Sequence, residues 1–243
     1  MGFRENGMHA YETRIQTVEV REAGNMRLRT LADTQQFHDY KGMAARLGVS
    51  SATWPLFGQL WPSSIHLANK VATRPLDKKL RILEIGCGLG LASLVAHQRG
   101  LQITASDTHP LSSEFLRRNV HLNKLLPMRY KYGRWGKNYN QQAKILGLEV
   151  LESRFDLIMA SDVLYEPDMP GDLAAFIDQH SEPNAEFWLV DPNRGYAGRF
   201  GKALQEHGFE LLENTELKED PSEHNAKGFS GRFLRYGRQV VHQ

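Results

Sequence analysis

The chain has 243 residues, 41% hydrophobic and 24% charged, a length that fits one large α/β domain and leaves little for a second. Its formal net charge is +2 and no run of five like charges occurs, so overall charge gives no long-range capture of nucleic acid or an anionic membrane. A lone cysteine (Cys87), ten scattered histidines, a polar Met1–Arg14 segment and no apolar stretch of about 18 residues argue against disulfides, a zinc centre, a secretory signal and a membrane helix, leaving a cytoplasmic protein as the expectation.

The first periodic segment, Ile15 to Leu31, alternates apolar and polar residues around Glu22-Ala23-Gly24-Asn25. It reads as a β-hairpin turning at Gly24-Asn25. Residues 1–52 are therefore expected to form an N-terminal extension ahead of a main domain over 53–243. Thr53 to Trp61 is aromatic and broken by Pro55 and Gly58, which predicts a folded-in loop. A helix should follow from Ser63 or Ser64 as N-cap to Val71. Strands are expected at Arg81–Ile85, Leu101–Ala105, Met128–Tyr132, Phe155–Ser161 and Ala185–Val190. Helices are expected at Leu91–Arg99, Leu111–Asn123, Asp172–Gln179 and Tyr196–His207. Phe209–Leu217 and Phe229–Val240 read as a closing antiparallel pair across an acidic loop, Glu219-Asp220-Pro221-Ser222-Glu223. Strands alternating with helices predict an α/β, Rossmann-like fold with a mainly parallel sheet, and ligands on such sheets sit at the carboxyl ends of the strands.

At the end of the first core strand stands Leu83-Glu84-Ile85-Gly86-Cys87-Gly88-Leu89-Gly90, which opens a helix. Glycines let backbone turn tightly and approach a ligand closely, although a plain tight turn uses them too. The spacing is Gly-x-Gly-x-Gly. A dinucleotide site wants Gly-x-Gly-x-x-Gly, and Leu91 and Ser93 occupy the positions where its third glycine would fall. Asp107 ends the following strand, where a carboxylate can accept both hydroxyls of a ribose; capping the helix near Pro110 is its alternative use.

These residues resemble motif I of class I methyltransferases, with Glu84 as the leading acid and Asp107 as the ribose acid. The resemblance narrows with Leu60-Trp61-Pro62-Ser63-Ser64, Gly133-Arg134-Trp135 and Ser161-Asp162-Val163-Leu164-Tyr165-Glu166, which are similar to the seven-β-strand protein lysine methyltransferases and their Asp-x-x-Tyr element. It spans about Trp54 to Arg194. It implies S-adenosyl-L-methionine as cofactor, held by Glu84, Gly86, Gly88, Gly90 and Asp107, with Trp61 at its methionine end, Trp135 on adenine and Ser161 in contact. It also implies that Asp162 and Tyr165 shape a pocket for an acceptor amine. Either tryptophan could instead be a core aromatic, Asp162 a cap and Tyr165 an edge residue. Val190-Asp191-Pro192-Asn193-Arg194 is similar to an Asp-Pro-Gly-Arg element in the branch that modifies electron-transfer flavoprotein. Asn193 replaces its glycine, so that substrate does not carry over, and Asp-Pro-Asn also suits a plain turn.

The implied chemistry is in-line methyl transfer from a sulfonium, in which the protein positions two partners and excludes water. A lysine ammonium must first lose a proton, which costs about 4 kcal/mol at pH 7.4. Desolvation beside the sulfonium lowers that cost, whereas a carboxylate such as Asp162 favours the ammonium, so its role is positional. A protein partner is therefore expected, with a small-molecule acceptor or a non-catalytic cofactor-binding module as rivals. Nucleic acid is disfavoured: Ser161-Asp162-Val163-Leu164 stands where methylation of a base's amino group wants Asn/Asp-Pro-Pro-aromatic, and the only thiol, which cytosine C5 methylation would need as nucleophile, lies in the glycine loop.

Overall fold

A computed structural model describes residues 11–136, 139–165, 169–221 and 228–238. The first ten residues, Glu166, Ser222 and Glu223 of the acidic loop, and the last two positions expected of the closing strand lie outside the described residues.

Nine strands and seven α-helices are described. β1 (Thr13–Val20) and β2 (Gly24–Leu31) form the N-terminal hairpin. α1 (Met43–Arg46) and a 3-10 turn (Trp54–Gly58) lead to α2 (Pro62–Thr73). The sheet then builds through β3 (Arg81–Ile85), α3 (Leu91–Gln98), β4 (Gln102–Asp107), α4 (Ser112–Leu122), β5 (Arg129–Tyr132) and α5 (Tyr139–Ile145). β6 (Phe155–Ser161), α6 (Met169–Gln179), β7 (Ser181–Asp191), α7 (Ala197–Glu206), β8 (Phe209–Glu219) and β9 (Phe229–Arg238) complete it.

The seven-stranded sheet has the order β5-β4-β3-β6-β7-β9-β8. Its first five strands are parallel, and β9 pairs antiparallel with both β7 and β8. This is the α/β, Rossmann-like architecture expected from the alternation. β3 leads outward to β4 and β5, and β6 leads the opposite way to β7. The order therefore reverses between β3 and β6, and the crevice where such sheets bind ligands opens at the carboxyl ends of those two strands.

Two apolar layers sandwich the sheet. One packs Leu67 and Val71 of α2, Leu94 and Val95 of α3 and Phe115 of α4 under the hairpin residues Val20, Met26 and Leu28. The other packs Phe176 and Ile177 of α6 and Phe200 and Leu204 of α7 against Leu83, Ile85 and Phe187.

Two expectations are corrected, and two short helices are added. The hairpin does not turn at Gly24-Asn25: Gly24 pairs with Val20 and Asn25 with Glu19, so the turn is Arg21-Glu22-Ala23. Glu22 takes the left-handed conformation there, at φ 59°, and Ala23 N–H donates to Val20 O at 3.1 Å. Neither Ser63 nor Ser64 caps α2. Pro62 is its first residue, where the missing N–H costs nothing, and Ser64 Oγ donates to Trp61 O at 2.7 Å. α1 and α5, of four and seven residues, have no counterpart among the expected elements.

Candidate active site

The glycine loop leaves β3 and enters α3 through three residues that only glycine adopts readily, with φ of 58°, 51° and 74° at Gly86, Gly88 and Gly90. At Gly88 the need is also spatial. A Cβ there would stand 3.0 Å from the carbonyl oxygen of Phe57, so the 3-10 turn lies directly on the loop. At Gly86 a Cβ would stand 2.9 Å from Val163 Cγ1 and 3.7 Å from Trp135 Cη2. The loop, the segment leaving β6 and the Trp135 ring thus converge on one point. Trp135 is 9% exposed and meets Phe176 edge-on, with centroids 6.1 Å apart.

Asp107 ends β4 and is 6% exposed. Its Oδ2 accepts Gly88 N–H at 2.8 Å and its Oδ1 accepts His109 N–H at 2.8 Å. The carboxylate therefore ties the glycine loop to the turn after its own strand. Burial raises its pKa above the ordinary carboxylate value, against the pull of the His109, Gly88 and Thr108 N–H groups and the Ser112 side chain.

Glu84 is turned away from the crevice. At 2% exposure it accepts both the N–H (2.8 Å) and the hydroxyl of Ser93 in the first turn of α3. It pins the helix to the strand, so its influence on a ligand would run through the loop. Its burial pushes its pKa up to about 7. Trp61 immediately precedes α2 and donates its Nε1–H to Leu56 O at 2.9 Å, which fixes the 3-10 turn.

Sequence reasoning gave no role to the support behind the loop. Asn119 of α4 is fully buried; its Nδ2 donates to Leu89 O at 3.0 Å and its Oδ1 accepts Arg29 N–H from β2 at 2.7 Å. His109 stacks on Phe57 with centroids 3.7 Å apart and planes 8° from parallel. Burial lowers its pKa to about 3, so the ring is neutral at physiological pH. A buried Asn 29 residues after the glycine motif, one strand and one helix further on, and a His after the strand carry no spacing signal.

On the other side of the crevice, Ser161 ends β6 and Asp162 follows in the left-handed conformation, φ 53°, with its N–H donated to Val190 O at 2.9 Å. That strained position aims the carboxylate across the strand end toward β7. Arg194 meets it there in a two-pronged ion pair: Nε to Oδ1 at 2.6 Å and Nη2 to Oδ2 at 2.8 Å. Asp191 makes the turn that delivers Arg194, its Oδ2 accepting Asn193 N–H at 3.0 Å, while Asn193 takes φ 58°. Asp191 is 1% exposed and its Oδ1 has no hydrogen-bond partner. Burial raises its pKa, with the Asp162 charge adding to the effect. Tyr165 lies on the same segment as Asp162 and is 38% exposed, a large aromatic open to solvent beside the crevice.

A groove of 1590 Å³ lies elsewhere, along β4, β5 and the loop at 147–155. Chemistry and topology, not size, select the β3–β6 crevice. Among the described residues no group of three or more His, Cys, Asp or Glu could hold a metal ion, and no helix is long and apolar enough to cross a membrane.

A three-glycine loop at a switch point, with an acid on the neighbouring strand and a second acid across the crevice, defines a ligand-binding Rossmann-like domain. A solved methyltransferase from Pyrococcus furiosus has the same fold, with a TM-score of 0.53 and 19% identity over 83% of this chain and 100% of its own. The chain belongs to the lysine methyltransferase family, whose sequence model matches residues 55–207. It is 28% identical over 166 residues to the calmodulin-lysine N-methyltransferase of Arabidopsis thaliana, covering 65% of this chain and 53% of that protein. It is 30% identical over 135 residues to the human histone-arginine methyltransferase METTL23, covering 53% and 67%. The chain spans about half the length of the first curated relatives it matches.

Proposed function

We propose that the chain transfers a methyl group from S-adenosyl-L-methionine to a lysine side chain of a protein. The observation that carries the reading is the meeting, at the β3–β6 switch point, of the glycine loop and Asp107 with Asp162. Gly86, Gly88 and Gly90 open the backbone to the cofactor, and Asp107, at the end of β4, accepts from the ribose hydroxyls. Trp135, beside Gly86, offers a face to adenine; Trp61 and Ser161 border the methionine end. Asp162 and Tyr165, on the β6 side, receive the acceptor. The cofactor supplies an electrophilic methyl, and the chain's residues bind, orient and exclude water. The acceptor is a protein amine, and the reading places nucleic acid and membranes outside the reaction.

The test is incubation of the purified protein with methyl-labelled cofactor and a cell extract, followed by mass spectrometry of what takes up label. Methyl on a lysine of a protein is the expected result. Asp162→Asn should lower transfer about tenfold or more while cofactor affinity changes less than threefold, a separation on the order of 1 kcal/mol. Label only on arginine, on small molecules or on nucleic acid overturns the lysine assignment, and retained full activity in Asp162→Asn overturns the role of that carboxylate.

A further inference from the structure

Asp162 poses a chemical problem for an enzyme that must attack with a neutral amine. A bare carboxylate beside a lysine binds the ammonium and stabilises it, which opposes the proton loss that transfer requires. Around this group the described residues place two carboxylates and two guanidinium groups. Asp162 leaves β6 and Asp191 ends β7; Arg194 follows the β7 turn and Arg232 lies on β9. Asp191 also borders a recess of 410 Å³ with Lys202 of α7 and Arg232 and Tyr236 of β9. Only one of these cations grips Asp162: both carboxylate oxygens are held by Arg194, at 2.6 and 2.8 Å. The Asp162 side chain is 10% exposed and that of Arg194 is 41% exposed, so the pair sits at the mouth of the crevice with its carboxylate inward.

We propose that Arg194 is a positioning residue: by clamping Asp162 it lets that carboxylate hold the acceptor amine without keeping the amine protonated. The clamp uses one lone pair of each oxygen and leaves the others to accept hydrogen bonds from an amine. The net charge of the pair is zero, and its positive half repels a second cation. The arrival of a lysine thus becomes a hydrogen-bonding event in place of ion pairing, and the proton leaves to solvent before attack. The turn that places the guanidinium depends on the Asp191–Asn193 hydrogen bond, which gives the Val190-Asp191-Pro192-Asn193-Arg194 segment a task beyond ending a strand. This inference rests on the lysine reading proposed above.

The experiment measures kcat against pH from 6 to 10 with the acceptor protein that takes up label in the extract, purified and saturating, because kcat reports ionisation in the bound complex. The wild-type rate should rise to a plateau with a midpoint well below the free-lysine value of about 10.4. Arg194→Gln should move that midpoint up by about one pH unit, a loss of about tenfold in kcat on the acid side that is recovered at high pH. KM should stay level or fall, because the bare carboxylate attracts the ammonium. Arg194→Lys keeps the charge and should recover most of the midpoint. Circular dichroism of each variant verifies that the exposed side chain was replaced without loss of fold. A rate lowered equally at every pH would mean a structural role and overturn the proposal. A rate raised at every pH would make Arg194 a block on the site and overturn it too. If label reaches no lysine, the lysine reading falls and takes this inference with it; if lysine is labelled and the midpoint stays put, the inference alone falls.

Discussion

Glu84 is a carboxyl group placed where water cannot reach it, with Ser93 as its partner and the Asp107 charge nearby. Desolvation outweighs the two Ser93 donors and raises its pKa from 4.5 to about 7. The folded state therefore holds this proton more tightly than the unfolded chain does. The stabilisation is complete below about 4.5 and is lost as pH rises to about 7. Glu84→Gln keeps an oxygen to accept from Ser93 and removes the titration. In the absence of cofactor, its melting temperature relative to wild type should climb between pH 5 and pH 8. The limit is about 3 kcal/mol of relative stability, from the size of the shift. A difference between the two proteins that is constant across that range would show that Glu84 does not titrate there. Of the residues that sequence reasoning assigned to the cofactor, Glu84 points into the strand–helix interior, while Trp135 packs in an apolar cluster with Leu83, Ile85 and Phe176. The leading acid could be recognised from the resemblance of the segment to motif I, but its partner Ser93 lies nine residues on and carries no sign of the bond.

At the scale of elements, the strands and long helices were legible because their periodicity is strong: Arg81–Ile85 and Phe155–Ser161 occupy the expected residues. What failed was local. Gly24-Asn25 is a favoured turn dipeptide, yet the alternation of Val18 and Val20 with Met26 and Leu28 sets the register, and that register places Gly24 in the strand. The side chains facing the core outweighed the turn preference. Short α1 and α5 offer too few turns to show a period. The grip of Arg194 on Asp162 spans 32 residues and exists only because β6 and β7 are neighbours. Asn119 is a contact of the same kind, joining β2, α4 and the glycine loop through one amide. Asn119→Ala strands the Arg29 N–H and the Leu89 carbonyl in a dry interior. The expected cost is about 2–4 kcal/mol, from two buried groups at about 1–3 kcal/mol each with partial relief by relaxation. Chemical denaturation should show it as a lower midpoint at unchanged slope. A loss below about 0.5 kcal/mol would mean that water replaces the amide and that the loop is not held from this side.

For the whole molecule, the question is whether the hairpin is an attachment or a wall of the core. Met26, Leu28 and Leu31 are at most 1% exposed and belong to the same apolar cluster as Leu67, Val71 and Phe115. Polar bonds run along the seam as well. Arg27 N–H donates to Asn123 Oδ1 at 2.8 Å, Asn123 Nδ2 returns to Arg27 O at 2.8 Å, and Arg21 N–H donates to Asn69 Oδ1 at 2.9 Å. Arg29 adds an ion pair to Glu114 at 3.2 Å. These contacts fall on α2 and α4, the helices that carry the 3-10 turn and Asn119 against the glycine loop. Removing the hairpin would therefore uncover the apolar faces of α2 and α4 and loosen the loop at once. A chain lacking residues 1–33 should lose cooperative thermal unfolding or aggregate, and it should not retain cofactor binding. Because so large a deletion is blunt, Leu28→Ala gives the graded version. Truncating a fully buried leucine costs about 2–5 kcal/mol, which for a chain of this size lowers the melting temperature by roughly 4–20 °C. Binding of S-adenosylhomocysteine, measured by calorimetry well below the melting point, should stay within about threefold in this point variant, because β2 packs on α4 and the 3-10 turn, which stand between it and the loop. If the truncated chain instead melts cooperatively within a few degrees of the full chain, the hairpin is an attachment. The core that folds the site would then begin at the 3-10 turn that closes over Gly88.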